Sequence, residues 1–482
     1  MDRVLVRSGS MGRAVGALDV IEVLNALPET EVAEAGSDGA AWLAPVLADL
    51  DGNVQPAGDD PLAALERLRV GESHVELDAY LAAQSRRLLA RAGRIDPTSL
   101  AEARAEGAYE GWAAVLQMSS EQVLATLGQS GLQGRGGAFF PVQLKWQAAI
   151  DAVPGNGQPL LVVNAEEGEP GVFNNRLLME SDPHRLVEGL AIACHALAAE
   201  RAYIYINGEA QLSAERMEQA VGSAREARLI GDLEIEIRRG AGGYVCGEET
   251  VILESIEGNR AVPRLRPPYP TERGLFGRPT VINNVETLCN LPDLFRFGVD
   301  WFRELGTDEA PGTKLISLSG ALERPGLVEV PMGTSIGEIL TMSGVGDRVQ
   351  GAVVGGPSGG LLPASKFDIE IGPGPLDPGG AALGSGGMVV FDESFPAADV
   401  LAVEAIYNAR ESCGKCTPCR EGGERLVTAL QRLRDGDPSA RSDIDELVTV
   451  MRAASLCGLG QMAVSPVTSA LQDFAQDVGA QP

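Results

Sequence analysis

Gln158-Pro-Leu-Leu-Val-Val-Asn-Ala-Glu-Glu-Gly168 is the stretch that decides the fold. Its apolar centre, Leu160 to Val163, is short and stops at a polar, glycine-ended segment, the pattern of a strand buried on both faces. Downstream, ESDPHRLVEGLAIACHAL (180–197) carries its own helix start: Asp182 is a capping residue and Pro183 takes the first helical position. A second buried strand, Arg201-Ala-Tyr-Ile-Tyr-Ile-Asn-Gly208, follows. Strand, helix and strand in this order predict a mostly parallel α/β sheet with helices on its faces. Such sheets bind ligands at the carboxyl ends of their strands.

The rest of the chain divides by pattern around this centre, which spans residues 120–310. Residues 1–78 alternate strand and helix signals and predict a small α/β unit; it holds no Cys and therefore no thiolate-bound iron–sulfur centre. Residues 79–119 read as a polar helical connector, with Asp78 as its cap. Residues 311–395 show short strands, one helix and many glycines, a small α+β domain. From 396 to 482 the pattern is helical throughout.

Composition limits the function. Of 482 residues, 39 are Lys or Arg and 67 Asp or Glu, a net charge of −28, so nucleic acid and anionic membranes are poor partners for the bulk surface. No run of about 18 uncharged apolar residues occurs, which excludes a helical membrane span. The N-terminus lacks the apolar core and cleavage site of a signal peptide, so a cytoplasmic location is expected. Seven cysteines, an odd number, argue against a disulfide framework and for metal binding.

The strongest chemical signal is Cys413-Gly-Lys-Cys416-Thr-Pro-Cys419, with Cys457 at long range. A [4Fe–4S] cube takes four thiolates, and two-residue spacing lets consecutive cysteines reach adjacent corners. Zinc is the competing occupant, but structural zinc usually shows two separated cysteine pairs. A second motif is Gly131-Leu-Gln-Gly134-Arg135-Gly136-Gly137-Ala-Phe-Phe140-Pro, followed by Lys145. Its glycines allow backbone N–H groups to close on a phosphate, and Arg135 and Lys145 supply charge. It is neither a Walker loop nor a dinucleotide fingerprint, and a glycine turn without ligand is the plain alternative.

Three further segments carry polar groups. Asn164-Ala-Glu166-Glu167-Gly-Glu169 places three carboxyls at a strand's carboxyl end, where ribose or ribityl hydroxyls find acceptors; a solvated acidic turn is the alternative. Gly240-Ala-Gly-Gly-Tyr244-Val-Cys246-Gly247-Glu248-Glu249 suggests close backbone approach to a planar ligand, or a ligand-free glycine turn. Ile282-Asn283-Asn284-Val-Glu286-Thr287 offers amide side chains, although an Asn-Asn pair is ordinarily a turn. Cys194 and Cys289 read as core, Cys246 as packing in a tight loop, and the three histidines as surface or helix-start residues.

Taken in order, GLQGRGGAFFP, NAEEGEPG, GGYVCGEET, RPPYP, GRPTVINNVETL and ESCGKCTPCREG, with Cys457 in SLCGLG, make residues 120–482 similar to the NADH-binding flavoprotein subunit of respiratory complex I and its soluble relatives. The resemblance implies an FMN-binding α/β domain, a ubiquitin-like β-grasp domain and a helical bundle holding a [4Fe–4S] cluster on Cys413, Cys416, Cys419 and Cys457. It implies that Gly134, Arg135, Gly136, Gly137 and Lys145 hold FMN from one side. Asn164, Glu166, Glu167, Tyr244, Gly247, Glu248, Ile282, Asn283, Asn284 and Thr287 would complete that site. NAD(H) would stack on the flavin, with Phe140 and Tyr269 near the adenine, Arg266 beside them, and Glu169 and Glu249 near hydroxyls. Those carboxylates imply NAD over NADP. Arg266, Tyr269, Phe139 and Ala148 depart from the family pattern at the nucleotide end.

The first 78 residues resemble a thioredoxin-like extension without its cluster cysteines, as in the β subunit of soluble NAD-dependent formate dehydrogenases. The implied activity is that of a diaphorase: hydride exchange between nicotinamide and FMN, then single electrons to or from the cluster, with no side chain required as acid or base. The implied partners are a [2Fe–2S] thioredoxin-like subunit and an iron–sulfur catalytic subunit, such as a molybdenum formate dehydrogenase α chain. The complex I subunit and the diaphorase subunit of an NAD-reducing hydrogenase are the alternatives within the family. A degenerate electron-wiring or assembly subunit is the non-enzymatic one.

Overall fold

The computed structural model describes residues 2–28, 30–153 and 157–479, so the outermost residues of the first and last expected domains lie outside the described residues. Three sheets and a helical bundle succeed one another along the chain. The first sheet, ordered β2-β1-β3-β4, comprises β1 (Asp2–Arg7), β2 (Thr30–Ala35), β3 (Val46–Ala48) and β4 (Val54–Pro56). β1 and β2 are parallel, joined across helix Ala17–Asn25, and β3 and β4 form an antiparallel hairpin. Val4, Val6, Val20, Leu24, Leu65 and Leu68 make its own small core. The unit is no appendage, because Leu5, Val46 and Val54 belong to the same apolar cluster as the third sheet.

The connector corrects the expectation for 79–119. Helix Val75–Ala82 is capped by His74 Nδ1, which accepts from the Leu77 N–H at 3.3 Å, and Asp78 lies inside that helix. Regular helix then stops until Leu100–Ala105 and Glu110–Val115. Between them Leu88, Leu89, Arg91 and Ile95 are buried. Arg91 is fixed bidentately on Asp182, at 2.7 and 3.1 Å, and Arg86 donates to the Asp38 carbonyl at 2.8 Å. Anchored arginines, Gly93 at positive φ and Pro97 hold this stretch as turns packed into the interior.

The central sheet, ordered β7-β6-β5-β8, is wholly parallel: β5 (Leu160–Ala165), β6 (Arg201–Ile206), β7 (Glu234–Arg239) and β8 (Thr280–Asn284). Leu161 and Val163 enter the large core beside helix Pro183–Leu197, while Leu160 and Val162 enter a second core on the opposite face. Alternation into two cores explains why the run is uninterruptedly apolar. Asp182 caps that helix, accepting from the Arg185 N–H at 3.3 Å. Strand order reverses between β5 and β8, so a crevice opens there at the carboxyl ends.

The third sheet, ordered β10-β9-β13-β11-β12, comprises β9 (Thr313–Gly320), β10 (Gly326–Pro331), β11 (Val349–Val354), β12 (Gly360–Pro363) and β13 (Gly387–Asp392). β9 and β13 run parallel at its centre, and the other pairs are antiparallel. Helices Ala397–Arg410, Thr417–Arg434, Ala440–Ala454 and Ser465–Asp473 pack around Leu401, Leu426, Ile444 and Met451. Among the described residues no helix is long and apolar enough to cross a membrane.

Candidate flavin and iron–sulfur site

Four segments converge on the crevice. The glycine loop closes on itself through the Gly134 N–H and the Phe140 carbonyl at 2.9 Å, and it is tied to β8's end by the Arg135 N–H on Thr287 Oγ1 at 2.8 Å. Gly137 has φ +110°, and a Cβ there would stand 3.0 Å from the Gly384 backbone; one at Gly136 would stand 3.0 Å from Asn284. At Gly136 the Asn284 side chain would have to give by a few tenths of an ångström, and Gly137 is required by the protein itself. Gly134 and Gly247 are not: neither has positive φ, and nothing lies within 3.5 Å of a Cβ at either. A Cβ at either would make only ordinary contacts, at 3.6 Å or more, so the chain's own packing does not demand glycine there, and close approach of a planar ligand is what glycine allows.

Lys145, from helix Val142–Asp151, ion-pairs with Glu249 and donates to the Ile282 carbonyl at 2.9 Å. Next to it the fully buried Trp146 donates from Nε1 to Asn283 Oδ1 at 2.8 Å. Asn284 Oδ1 accepts the Glu286 N–H at 2.8 Å, and its Nδ2 donates to Asn175 at 3.2 Å. From β5's end, Asn164 Nδ2 donates to the Gly247 carbonyl at 2.9 Å. Glu248 Oε2 caps helix Glu249–Ile256, accepting from the N–H groups of Thr250 and Val251, and its Oε1 lies 3.5 Å from Arg266.

The three carboxyls after β5 have different surroundings. Glu166 Oε1 accepts from Asn207 Nδ2 at 2.5 Å, while its Oε2 is buried without a partner; burial pushes this carboxyl up to about 7. That orphaned acceptor, which a Cβ at Gly240 would approach to 2.5 Å, fits a hydroxyl-bearing ligand such as FMN. Glu167 is engaged elsewhere: its two oxygens accept the N–H groups of Asn175 and Arg176, at 2.7 and 3.1 Å, at the start of helix Asn174–Ser181. Glu169 Oε2 accepts from Ser385 Oγ at 2.5 Å, facing the glycine loops of the third sheet.

Arg135 likewise departs from its expected charge role. Its side chain is fully buried and turned to the rear, donating to the carbonyls of Thr313 and Pro311 at 3.0 and 2.5 Å. Phe140 and Tyr269, at 51% and 54% exposure, present their rings to solvent.

Several members of this site escape sequence reasoning. Lys314 and Glu286 form a fully buried ion pair behind the glycine loop, at 2.5 Å, and Lys314 also donates to the Ser385 carbonyl at 2.8 Å. Only four lysines occur in the chain, so a lysine on an apolar strand is the available signal. Asn207 and Ser385 have none beyond lying at a strand end and in a glycine run.

The four cysteines lie in one neighbourhood, although among the described residues no three His, Cys, Asp or Glu side chains converge closely enough to hold a metal ion as they stand. Cys419 and Cys457 are buried in an apolar cluster with Leu459, against which Tyr244, Val245 and Cys416 pack. Cys413 acts electrostatically on both buried thiols. A Cβ on Gly460 would lie 2.8 Å from the Cys419 Cβ, so the return of the chain from Cys457 needs glycine there. Ser412 Oγ lies 3.2 Å from Cys419 Sγ. Arg260 and Arg420 grip the loop from outside, donating to the carbonyls of Cys413 and Gly414 at 3.0 and 2.8 Å. Four thiols from one turn and one distant loop match the donor set of an iron–sulfur cluster. Cys194, Cys246 and Cys289 are buried apart from them.

A flavin cradle at a parallel-sheet switch point beside a cysteine quartet defines a flavin- and iron–sulfur-dependent oxidoreductase component. Residues 127–293 match the Nuo51 FMN-binding domain, and residues 399–481 match the NADH-ubiquinone oxidoreductase-F iron-sulfur binding region. The NADP-reducing hydrogenase subunit HndC of Solidesulfovibrio fructosivorans is 40% identical over 402 residues, covering 80% of this chain and 81% of that one. The NADH-quinone oxidoreductase F subunit of Streptomyces coelicolor is 40% identical over 389 residues, 78% of this chain and 86% of that one. Among solved structures, NAD+-reducing [NiFe]-hydrogenase in the H2-reduced state superposes with a TM-score of 0.74 at 29% identity, over 100% of this chain and 85% of that one. The chain belongs to the family of NADH-quinone oxidoreductase F subunits. It is an oxidoreductase component of a multisubunit enzyme, with FMN, a [4Fe–4S] cluster and NAD(H) as its cofactors.

Proposed function

We propose that the chain is the diaphorase subunit of a soluble NAD-linked enzyme, passing reducing equivalents between nicotinamide and a one-electron chain. The observation that carries this reading is the segment 244–249. Tyr244 and Val245 pack on the cysteines, while Gly247, Glu248 and Glu249 belong to the flavin crevice. One short stretch of backbone thus joins the two centres. FMN supplies acceptance of a hydride and release of single electrons; the protein binds, orients and shields.

In this reading Gly134, Gly136, Gly137 and Lys145 receive the flavin phosphate side. Asn164, Glu166, Tyr244, Gly247 and Glu248 line the ring and ribityl chain, and Ile282, Asn283, Asn284 and Thr287 form the wall. Arg135 and Glu167 support the site from behind, consistent with their bonds to loop carbonyls and to a helix start. Glu249 and Glu169 serve the nucleotide hydroxyls, with Phe140, Tyr269 and Arg266 at the adenine end. Cys413, Cys416, Cys419 and Cys457 hold the cluster. The four packed units then read as thioredoxin-like, FMN-binding, β-grasp and cluster-binding domains, working in the cytoplasm.

The partner we propose is a formate dehydrogenase α chain with a [2Fe–2S] thioredoxin-like subunit. Support is the cysteine-free first unit, which resembles that of soluble formate dehydrogenases. A hydrogenase partner is the second reading, favoured by the whole-length likeness to the solved hydrogenase chain. Anaerobic purification of the native complex tests both. NADH:ferricyanide activity with bound flavin and iron is expected, and the co-purifying chain reduces NAD+ with formate or with H2. A protein without flavin overturns the diaphorase reading.

A further inference from the structure

The segment 240–248 borders both the crevice and the thiols, and its attachments on the two sides are unequal. On the crevice side its main chain is held twice, by Asn164 Nδ2 on the Gly247 carbonyl at 2.9 Å and by the Gly240 N–H on the Ile206 carbonyl at 2.7 Å. The Tyr244 hydroxyl meets Ser358 Oγ, beside the third sheet, at 2.5 Å. To the cysteine-bearing helical unit it makes one hydrogen bond among the described residues. The Tyr244 N–H donates to Glu411 Oε2 at 2.7 Å. The same oxygen lies 3.5 Å from where a Cβ on Gly243 would stand, so the carboxylate covers the Gly243–Tyr244 peptide.

Glu411 is itself fixed from both directions along the chain. Its N–H donates to the Tyr407 carbonyl at 2.9 Å, closing the last turn of helix Ala397–Arg410. That turn is pinned by Tyr407 Oη on the Gly168 carbonyl at 3.0 Å, in the loop after β5, and by Asn408 Nδ2 on the Pro357 carbonyl at 2.8 Å. On its other side Ser412 Oγ lies 3.2 Å from Cys419 Sγ and accepts the Gly414 N–H at 3.3 Å. The connection therefore runs from the flavin wall through the Tyr244 amide, Glu411 and Ser412 to the cysteine loop. The helical unit does not need this bond to stay docked, because Val353, Leu361 and Phe391 of the third sheet share its apolar core. What the bond adds is register between segment 240–248 and the thiols. A charged acceptor on a backbone N–H makes it a strong one.

We propose that Glu411 is a positioning residue for electron passage between flavin and cluster, acting through the Tyr244 amide. The proposal rests on the diaphorase reading above. The step it serves moves one electron, oxidising the reduced flavin and reducing the cluster, and no bond forms or breaks between them. Such a step depends on how the two groups are held relative to one another. Segment 240–248 is the stretch that touches both sides, and Glu411 is its hydrogen-bonded tie to the cysteine-bearing unit.

The test compares wild type, Glu411→Gln and Glu411→Ala as whole chains loaded with FMN and cluster. Gln keeps an oxygen for the Tyr244 N–H and Ala removes it. Both lose the same charge, so the difference between them isolates the bond. After mixing with NADH, flavin bleaching is followed by absorbance and cluster reduction by freeze-quench EPR. Glu411→Ala is expected to slow cluster reduction roughly tenfold relative to flavin bleaching, and Glu411→Gln to restore most of that ratio. Hydrogen exchange of the oxidised proteins, read by mass spectrometry, should show one more protected amide in peptides spanning 240–248 of wild type and Glu411→Gln than of Glu411→Ala. If Glu411→Ala does not hold its iron, Glu411→Asp, with an arm shorter by one methylene, takes its place in the comparison. A wild-type ratio in the Ala or Asp variant overturns the proposal alone, and so does equal slowing in Glu411→Gln. A wild type that binds no flavin overturns the diaphorase reading, and the proposal with it.

Discussion

The flavin crevice and the cysteine loop are completed by the protein to different degrees. In the crevice Asn164, Asn283, Asn284, Thr287, Glu248 and Lys145 each have a partner within the chain, so its walls stand before any ligand arrives. Around the thiols support is thinner. Cys419 has Ser412, Cys457 has the N–H groups of Leu459 and Gly460, and Cys413 and Cys416 are only partly buried. A hydrogen-bonded crevice is preorganised, whereas a set of thiols is brought to final order by the metal it binds. Flavin and iron should therefore be separable by mutation.

The largest expected effect falls on the thinner site. Cys416→Ser should lose nearly all cluster iron, read by iron analysis and by the EPR spectrum of the reduced protein, while flavin content stays near wild type. Loss of both together would break the comparison. The converse is Gly137→Val. At φ +110° and 3.0 Å from the Gly384 backbone, a β-branched side chain is strained by about 1–3 kcal/mol and pushes the glycine loop off the third sheet. Flavin should be lost from this variant, measured by fluorescence after denaturation, while iron is retained.

Smaller, and placed behind the crevice, is the effect of Lys314→Met. Removing one partner of a fully buried pair leaves the Glu286 carboxyl without compensation, and breaking such pairs costs about 3–5 kcal/mol. Denaturant unfolding should show that loss. Glu286→Gln combined with Lys314→Met should recover part of it, because no charge is then left unpaired. A single variant as stable as wild type would mean that the pair contributes nothing to docking the third sheet on the crevice.

How much of this is legible in the sequence depends on whether a residue's role is local. Asp182 and Pro183 start their helix from adjacent positions, and the Leu160–Val163 run declares burial on two faces; both can be read directly. The cysteine spacing is equally local. The connector at 79–119 defeats a local reading because its arginines are anchored by distant partners, Arg91 by Asp182 and Arg86 by Asp38, and a local pattern cannot announce them. Within the site, Arg135 and Glu167 look like ligand groups because charge beside glycine suggests it. Only the tertiary structure shows their side chains spent on loop carbonyls and a helix start. Lys314 and Ser385 come from the unit of the third sheet, so no motif around the crevice could contain them.

The smallest effect is graded with pH and sharpens the claim that the crevice awaits a hydroxyl at Glu166. Burial raises this carboxyl to about 7, with Asn207 opposing, against roughly 4.3 in the unfolded chain. Below about pH 4.3 both states hold the proton and stability is at its full value. As pH rises, the unfolded chain releases its proton first, so the folded state binds more protons and stability falls until the folded group has ionised near 7. A flavin hydroxyl donating to Oε2 favours the carboxylate and draws the group back down. Thermal unfolding of flavin-free protein should therefore weaken between about pH 5 and 7, and the stabilisation given by FMN should grow over the same range. Glu166→Gln should reduce both slopes together, leaving the similar contribution of Glu169. A flavin-free slope that Glu166→Gln leaves untouched would show that the orphaned oxygen is solvated, and that the crevice is finished even there.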